Sequence, residues 1–236
     1  MPAVSPDLIA TEIQSIPEQQ LATYKQFAVY HAMQSQTPYI VKEITRLREI
    51  VFRQHNEGSG QPCDTDQFDA TYTHLFIINT KSYEIIGAYR MGRTDILLNT
   101  DNDSGNGLDN LYLSRMFDFK PDFINRSQPC LEMGRSFISP AHQRSFYGLY
   151  LLWRGIGEFA VRHPQYRTLY GTVSLSKLYN PLSVEAIRQL SLQPSNHVEA
   201  KKEFSVPQQP ELTDYIDLYQ GEHRENSQFL SRLVRL

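Results

Sequence analysis

Apolar residues recur at helical spacing through residues 39–55, where Ile40, Val41, Ile44, Leu47, Val51 and Phe52 form one stripe and predict an amphipathic helix. Leu21, Tyr24, Phe27, Ala28 and His31 recur at i, i+3, i+4 and predict another over 17–34, closed by Thr37-Pro38. Residues 71–78 and 84–91 are short, almost continuously apolar runs joined by the polar turn 79–83, which predicts two strands covered on both faces. A strand is expected over 130–138, ended by Ser139-Pro140. A long helix is expected over 143–163, with Phe146, Leu149, Trp153, Ile156 and Ala160 along one side. Further elements are a strand over 167–176, a helix over 182–192 and a helix over 222–236 through Phe229, Leu230, Leu233 and Val234. The stretches 56–65 and 101–109 read as loops from their Gly, Ser, Pro and Asp content. This succession is an α/β pattern on a mixed sheet.

Composition narrows the class. The chain has 236 residues, 40% hydrophobic and 21% charged, enough to bury a sizeable core. A net charge of −3 gives no support for nucleic-acid binding. Two cysteines, Cys63 and Cys130, cannot make a disulfide framework, so a reducing compartment is the simpler reading. The first residues lack a basic, then apolar leader pattern, and the apolar runs are too short to span a bilayer. The expectation is a cytoplasmic protein whose membrane contact is peripheral.

The most informative residues are charges in apolar places. Arg48 falls within the stripe of its helix, whereas Arg46 and Arg53 read as solvated. Arg90 ends the run Ile85-Ile86-Gly87-Ala88-Tyr89, and Glu132 and Arg135 interrupt an otherwise apolar strand. Buried charges require partners. Asp66 and Asp69 are candidates, so that Arg48, Arg90 and Arg135 would balance Asp66, Asp69 and Glu132 in one cleft. A structural ion-pair network would read the same way residue by residue; the set as a whole favours a functional site. Glu132 and Arg135 have opposite strand parity, and Gly134 between them is where a β-bulge could re-aim one side chain and free a backbone N–H for an oxyanion.

With these residues in place, the sequence resembles the GNAT-like N-acyltransferases. Arg48-x3-Phe52, Asp66-x2-Asp69, Arg90 and Glu132-x2-Arg135 resemble the charged signature of acyl-homoserine-lactone synthases and ornithine-lipid N-acyltransferases. The stretches REIVFRQHNEGSG (48–60), DTDQFDATYTHLFI (64–77), IIGAYRMG (85–92), EMGRSFI (132–138) and 151–183 resemble the hemolysin-named group related to the ornithine-lipid enzymes. The resemblance implies an α/β (α+β) GNAT-like fold, with a mixed, mostly antiparallel sheet flanked by helices. Residues 39–206 would form the acyltransferase domain, 1–38 a helical extension and 207–236 a helical segment shorter than in relatives.

The same resemblance implies transfer of a fatty acyl group, 3-hydroxy chains included, from an acyl carrier protein thioester to an amino acid or similar small amine. Glu132 would take the amine proton, Arg135 would act beside it and Tyr179 would protonate the leaving thiolate. Arg48, Asp66, Asp69 and Arg90 would organise the acceptor. The pantetheine arm would lie between strands at about 132–138 and 169–175, near Phe137, Ile138, Arg144, Gly148 and Val173. No permanently bound cofactor and no metal are implied; acyl-phosphopantetheine enters as substrate. Before the long helix, His142 to Gly148 carries bulky Phe146 and Tyr147 where coenzyme A enzymes have small residues, which favours carrier protein over acyl-CoA. Two alternatives stand beside this reading. One is an autoinducer synthase of the acyl-homoserine-lactone type. The other is a non-catalytic acyl-carrier-binding module associated with an O-acyltransferase partner or domain.

Overall fold

The computed structural model describes residues 1–99, 107–120, 122–124, 127–174, 179–181, 183–185, 187 and 198–204. The chain divides into two compact units, Met1–Arg115 with Ile124–Thr172, and Met116–Phe123 with Val173–Leu236. The expected helix over 222–236 and most of that over 182–192 lie outside the described residues.

The first unit opens with helix α1 (Pro6–Ser15), started by Pro6 and by the Ser5 hydroxyl, which accepts the Asp7 N–H. Strands β1 (Gln20–Tyr24) and β2 (Phe27–Met33) follow, then helix α2 (Pro38–Gln54). The α2 N-cap, Thr37, makes no side-chain cap. Instead buried Glu12 of α1 accepts the Tyr39 and Ile40 N–H groups at 2.8 Å each, satisfying donors that the helix start leaves unpaired. Strands β3 (Thr73–Asn79) and β4 (Ile85–Arg93), the short helix α3 (Thr94–Leu97), strand β6 (Cys130–Ile138), helix α4 (Phe146–Arg162) and strand β7 (Thr168–Gly171) complete the unit. Within the second unit, strands β5 (Phe117–Phe119) and β8 (Val198–Ala200) pair antiparallel, with Phe117 opposite Ala200.

Six strands form one sheet in the order β1-β2-β3-β4-β6-β7. All pairs are antiparallel except β6 with β7, which α4 connects as a crossover. Two apolar layers cover its faces. Ile40, Ile44 and Val51 of α2 pack on Ala28, Tyr30, Phe76, Ala88 and Phe137. Leu151, Leu152, Ile156 and Phe159 of α4 pack on Val29, Leu75, Met91 and Leu131.

Two expectations are corrected. Residues 17–34 form a hairpin rather than a helix, turning at Lys25-Gln26 with Lys25 at φ 53°. The reason is burial: β2 lies between β1 and β3 under both helix layers, so Phe27 to Tyr30 are all buried, and an unbroken apolar run mimics helical spacing.

The second correction concerns α4. Its inward face is Gly148, Leu151, Leu152, Gly155, Ile156 and Phe159, while Phe146, Leu149 and Trp153 point outward. Glycine counts for nothing on a hydrophobic wheel, yet here it permits close packing. A Cβ on Gly155 would stand 2.6 Å from Val29 Cγ1, and one on Gly148 3.0 Å from Ile138 Cδ1.

Candidate functional site

The charges singled out in the sequence converge on the α2 side of the sheet. Arg48 is fully buried and donates from Nη1 and Nη2 to both carboxylate oxygens of Asp69, at 3.0 and 2.9 Å. Its Nε donates to Asp64 Oδ2 at 2.7 Å, and Nη2 also meets the Asp64 carbonyl. Arg90 Nη1 donates to Asp66 Oδ1 at 2.6 Å and to Asp69 Oδ1 at 3.0 Å. Its guanidinium lies 5.2 Å from the ring centres of Tyr72 and Tyr112. Arg135 Nη1 reaches Asp64 Oδ2 at 3.2 Å, and Nη2 reaches the Tyr112 hydroxyl at 3.3 Å.

The three-residue spacing of Asp66 and Asp69 has a local cause. They are the N-cap and third residue of the 3₁₀ turn Gln67–Ala70 and cap it reciprocally: Asp66 Oδ1 accepts the Phe68 N–H and Asp69 Oδ2 accepts the Asp66 N–H, each at 2.9 Å. Burial alone would raise Asp69. Hydrogen bonds from Arg48 and the charges of Arg48 and Arg90 outweigh it and hold the acid down at about 2. His74, also fully buried, donates Nε2–H to the Asp69 carbonyl at 2.8 Å; desolvation lowers it to about 4 and keeps it neutral.

The third acid of this network is Asp64, not Glu132. Asp64 was missed because it sits in a stretch that reads as loop by composition. Its backbone N–H donates to the Thr45 carbonyl of α2 at 3.0 Å, which fixes it beside Arg48. Another missed acid is buried Glu49, which accepts from Arg53, from the Ser59 N–H and hydroxyl and from the Gly60 N–H, tying the loop after α2 to the helix. Arg53 is 59% exposed as expected, whereas Arg46 is only 15% exposed and pairs with Glu43.

Glu132 occupies a separate pocket of hydroxyls. Oε1 accepts from the Tyr72 hydroxyl at 2.9 Å, Oε2 from the Tyr170 hydroxyl at 3.2 Å, and the Leu113 N–H lies 3.4 Å from both oxygens. Burial pushes the carboxyl up, and these three donors offset it only in part. Tyr72 in turn accepts the Tyr112 N–H at 2.8 Å, and its ring packs where a Cβ on Gly92 would stand 2.5 Å away. The tyrosines carry no sequence signal, since the chain has 14 of them and nothing in the spacing sets these apart.

The bulge expected near Gly134 is present one residue later. Ala88 faces Phe137 and Arg90 faces Gly134, so Arg135 and Ser136 together oppose Tyr89. The left-handed residue is Arg135, at φ 52°. The register puts Glu132 and Gly134 on the α2 side, and at the extra residue Arg135 reaches the same side, where it meets Asp64 and Tyr112. A Cβ on Gly134 would meet nothing within 4 Å, so that glycine relieves no crowding. The ladder to β7 ends at Met133 opposite Gly171, and among the described residues 134–138 have no partner on that side.

These features are those of a mixed sheet interrupted beside a buried carboxyl. A family model described as "Acetyltransferase (GNAT) domain" matches residues 47–154, from α2 through the middle of α4. The chain has a GNAT fold. It is 28% identical over 227 residues to a "Glycine N(alpha)-acyltransferase" of Bacteroides thetaiotaomicron, covering 91% of this chain and 64% of that protein. A protein of the same description from Phocaeicola vulgatus is 27% identical over 187 residues, covering 75% of this chain and 56% of that one. The chain thus spans less than two thirds of the length of these curated relatives. Among solved structures, an aminoglycoside acetyltransferase from an uncultured soil metagenomic sample aligns with 78% of this chain and all of its own, at 8% identity and TM-score 0.40.

The donor-side residues expected in a GNAT domain are placed unevenly. Phe137 is 4% exposed in the α2-side core, and Ile138 packs under Gly148. Arg144 is exposed in the turn before α4, whose N-cap Ser145 accepts the Tyr147 N–H. Val173 and Tyr179 belong to the second unit, where both are exposed. The tyrosine bonded to Glu132 is Tyr170 of β7. No three His, Cys, Asp or Glu side chains cluster as a metal would need, among the described residues.

Proposed function

We propose that this chain is an N-acyltransferase that moves a fatty acyl group from a carrier thioester to the amine of a small amino acid, with Glu132 as the base. The observation that carries this reading is Glu132 itself: a buried carboxyl with a raised pKa, on the strand that bulges at Arg135 and whose ladder with β7 ends at Met133. A carboxyl of this kind takes up a proton more readily than an exposed one. The amine nitrogen attacks the thioester carbon, the C–S bond breaks and the carrier leaves as a thiolate. The amine proton passes to Glu132, directly or through a water, and the thiolate takes a proton in turn. Backbone N–H groups at the bulge would meet the oxygen as it becomes negative.

The charged network supports an amino acid as acceptor. Arg135 Nε and Asp66 Oδ2 are buried without a hydrogen-bond partner among the described residues, and Asp66 Oδ2 lies 3.6 Å from Arg135 Nη2, a charge contact only. A cationic donor and an anionic acceptor side by side suit a carboxylate and an ammonium group, the latter releasing one proton to solvent before its amine attacks. Glycine is the first acceptor to try, because two relatives are named for it. Acyl carrier protein is the proposed donor: the sequence at the start of α4 carries bulky Phe146 and Tyr147 where coenzyme A enzymes have small residues beside the pyrophosphate. Ornithine-lipid-like biosynthesis is the setting we propose.

The test is incubation of the purified chain with acyl carrier thioesters and a panel of amino acids, with N-acyl products read by mass spectrometry. Product formation that Glu132→Gln abolishes supports the proposal. No product with any acceptor, or product unchanged in that variant, overturns it.

A further inference from the structure

The outward face of α4 is the least expected surface of the first unit. Phe146 is 75% exposed, Leu149 61%, Tyr150 40%, Trp153 59% and Val161 77%. These positions follow i, i+3, i+4, i+7 spacing and form one stripe, opposite the face that Leu151, Leu152 and Phe159 bury in the core. A surface helix ordinarily puts charge on that side; here the charged residues Arg154, Glu158 and Arg162 keep to a row at one edge. Arg154 and Arg162 donate to the Thr23 and Leu21 carbonyls of edge strand β1. On the same side Lys25 is exposed, with Nζ 3.2 Å from the Tyr147 hydroxyl. Phe146 and Tyr150 stack at 5.5 Å, so the aromatic part of the stripe is continuous.

We infer that this face seats the protein on an anionic lipid surface, with α4 lying in the plane of the interface. An apolar stripe carrying Trp, Tyr, Phe and Leu, bordered by three cations and one acid, has the makeup of an interfacial helix. The cations complement acidic headgroups, while the aromatic rings suit the boundary between headgroup and acyl chain. An acidic protein partner would call for cations on the face itself, and the stripe carries none. The contact is peripheral: no helix among the described residues is long and apolar enough to cross a membrane. This inference does not depend on the acyl-transfer reading.

The chain provides its own reporter, because its single tryptophan is Trp153. The 236-residue chain is mixed with vesicles of phosphatidylcholine, with and without phosphatidylglycerol, then sedimented while tryptophan emission is followed. The expected result is pelleting with the anionic vesicles, weakened by salt, together with a blue shift of emission on vesicle addition. Joint replacement Phe146→Ser and Leu149→Ser is expected to lower partitioning about tenfold or more, because two large exposed side chains are lost from the contact. Both residues are exposed, so thermal melting should not change. Four results would overturn the inference: no pelleting, equal pelleting of the double variant, emission already blue-shifted in a vesicle-free monomer, or a concentration-dependent dimer that covers Trp153. The last two would assign the face to another part of this chain or to a second copy.

Discussion

Arg48 and Asp69 meet through two parallel hydrogen bonds, 3.0 and 2.9 Å long, with the arginine entirely shielded from solvent. That geometry joins α2 to the turn before β3, and it depends on a planar fork that lysine lacks. Arg48→Met is expected to destabilise the fold by about 3–5 kcal/mol, since it leaves Asp69 and Asp64 short of a buried counter-charge. Arg48→Lys should recover only part of the loss. Urea melts of the three proteins check both statements.

Acid should weaken the fold in two separate windows. His74 falls from 6.5 to about 4 on folding, so the unfolded chain binds the proton first and stability declines as pH drops from 6.5 toward 4. Asp69 is depressed from 3.8 to about 2, so its stabilising effect is full above 3.8 and is lost as pH falls toward 2. A shift of that size corresponds to about 2–3 kcal/mol. In urea melts taken across pH, His74→Gln should flatten the upper window, leaving the share of His31, which burial also lowers to about 4. An unchanged slope in that variant would count against the assignment.

In the proposed mechanism, removal of the Glu132 carboxylate should slow acyl transfer by roughly 10²–10⁴-fold while the chain still folds. A more discriminating variant is Tyr72→Phe. Burial raises Glu132 most, and the Tyr72 hydroxyl is a donor that lowers it. A base must be unprotonated to act, so activity falls as pH drops through its pKa. Loss of the Tyr72 hydrogen bond should therefore move the acidic limb of the kcat/KM profile to higher pH. A purely structural tyrosine would reduce stability and leave that limb in place.

Two glycines two residues apart on α4 should respond in opposite ways. Gly155→Val drives a side chain into Val29, 2.6 Å from the new Cβ, and is expected to cost about 1–3 kcal/mol. Gly157→Ala meets nothing within 4 Å and should be neutral or stabilising by up to about 1 kcal/mol. Thermal melts of both variants test the packing of α4.

The site was more legible in the sequence than the layers around it. Arg48 and Arg90 announce themselves because charge is rare on a buried stripe, and the opposite parity of Glu132 and Arg135 marked Gly134 as a place where the strand could bulge. Asp64 gave no such contrast, since aspartate in a polar loop is unremarkable until the loop folds onto α2. Tyr170 and Tyr72 act through hydroxyl groups whose direction tertiary structure alone decides, the first through the register of β6 and β7 and the second through its packing on Gly92. Periodicity found α2 because one of its faces is wet. It misread β2, which has no wet face, and it turned α4 around, because two glycines on the inner side weigh less than exposed aromatic rings on the outer.

The bulge has a bearing on insertions and deletions. Five steps of β6, from Glu132 to Phe137, face four steps of β4, from Gly92 to Ala88. Loss of one residue there would restore a regular ladder and still send both Glu132 and Phe137 to the α2 side. It would also relieve a left-handed arginine that costs about 1–2 kcal/mol. Such a shortened chain should therefore fold at least as well, yet its Arg135 would no longer reach Asp64 and Tyr112. A homologue one residue shorter at this point would keep the architecture and lose the arginine from the charged network, so a single-codon gap is enough to change that network while the fold persists.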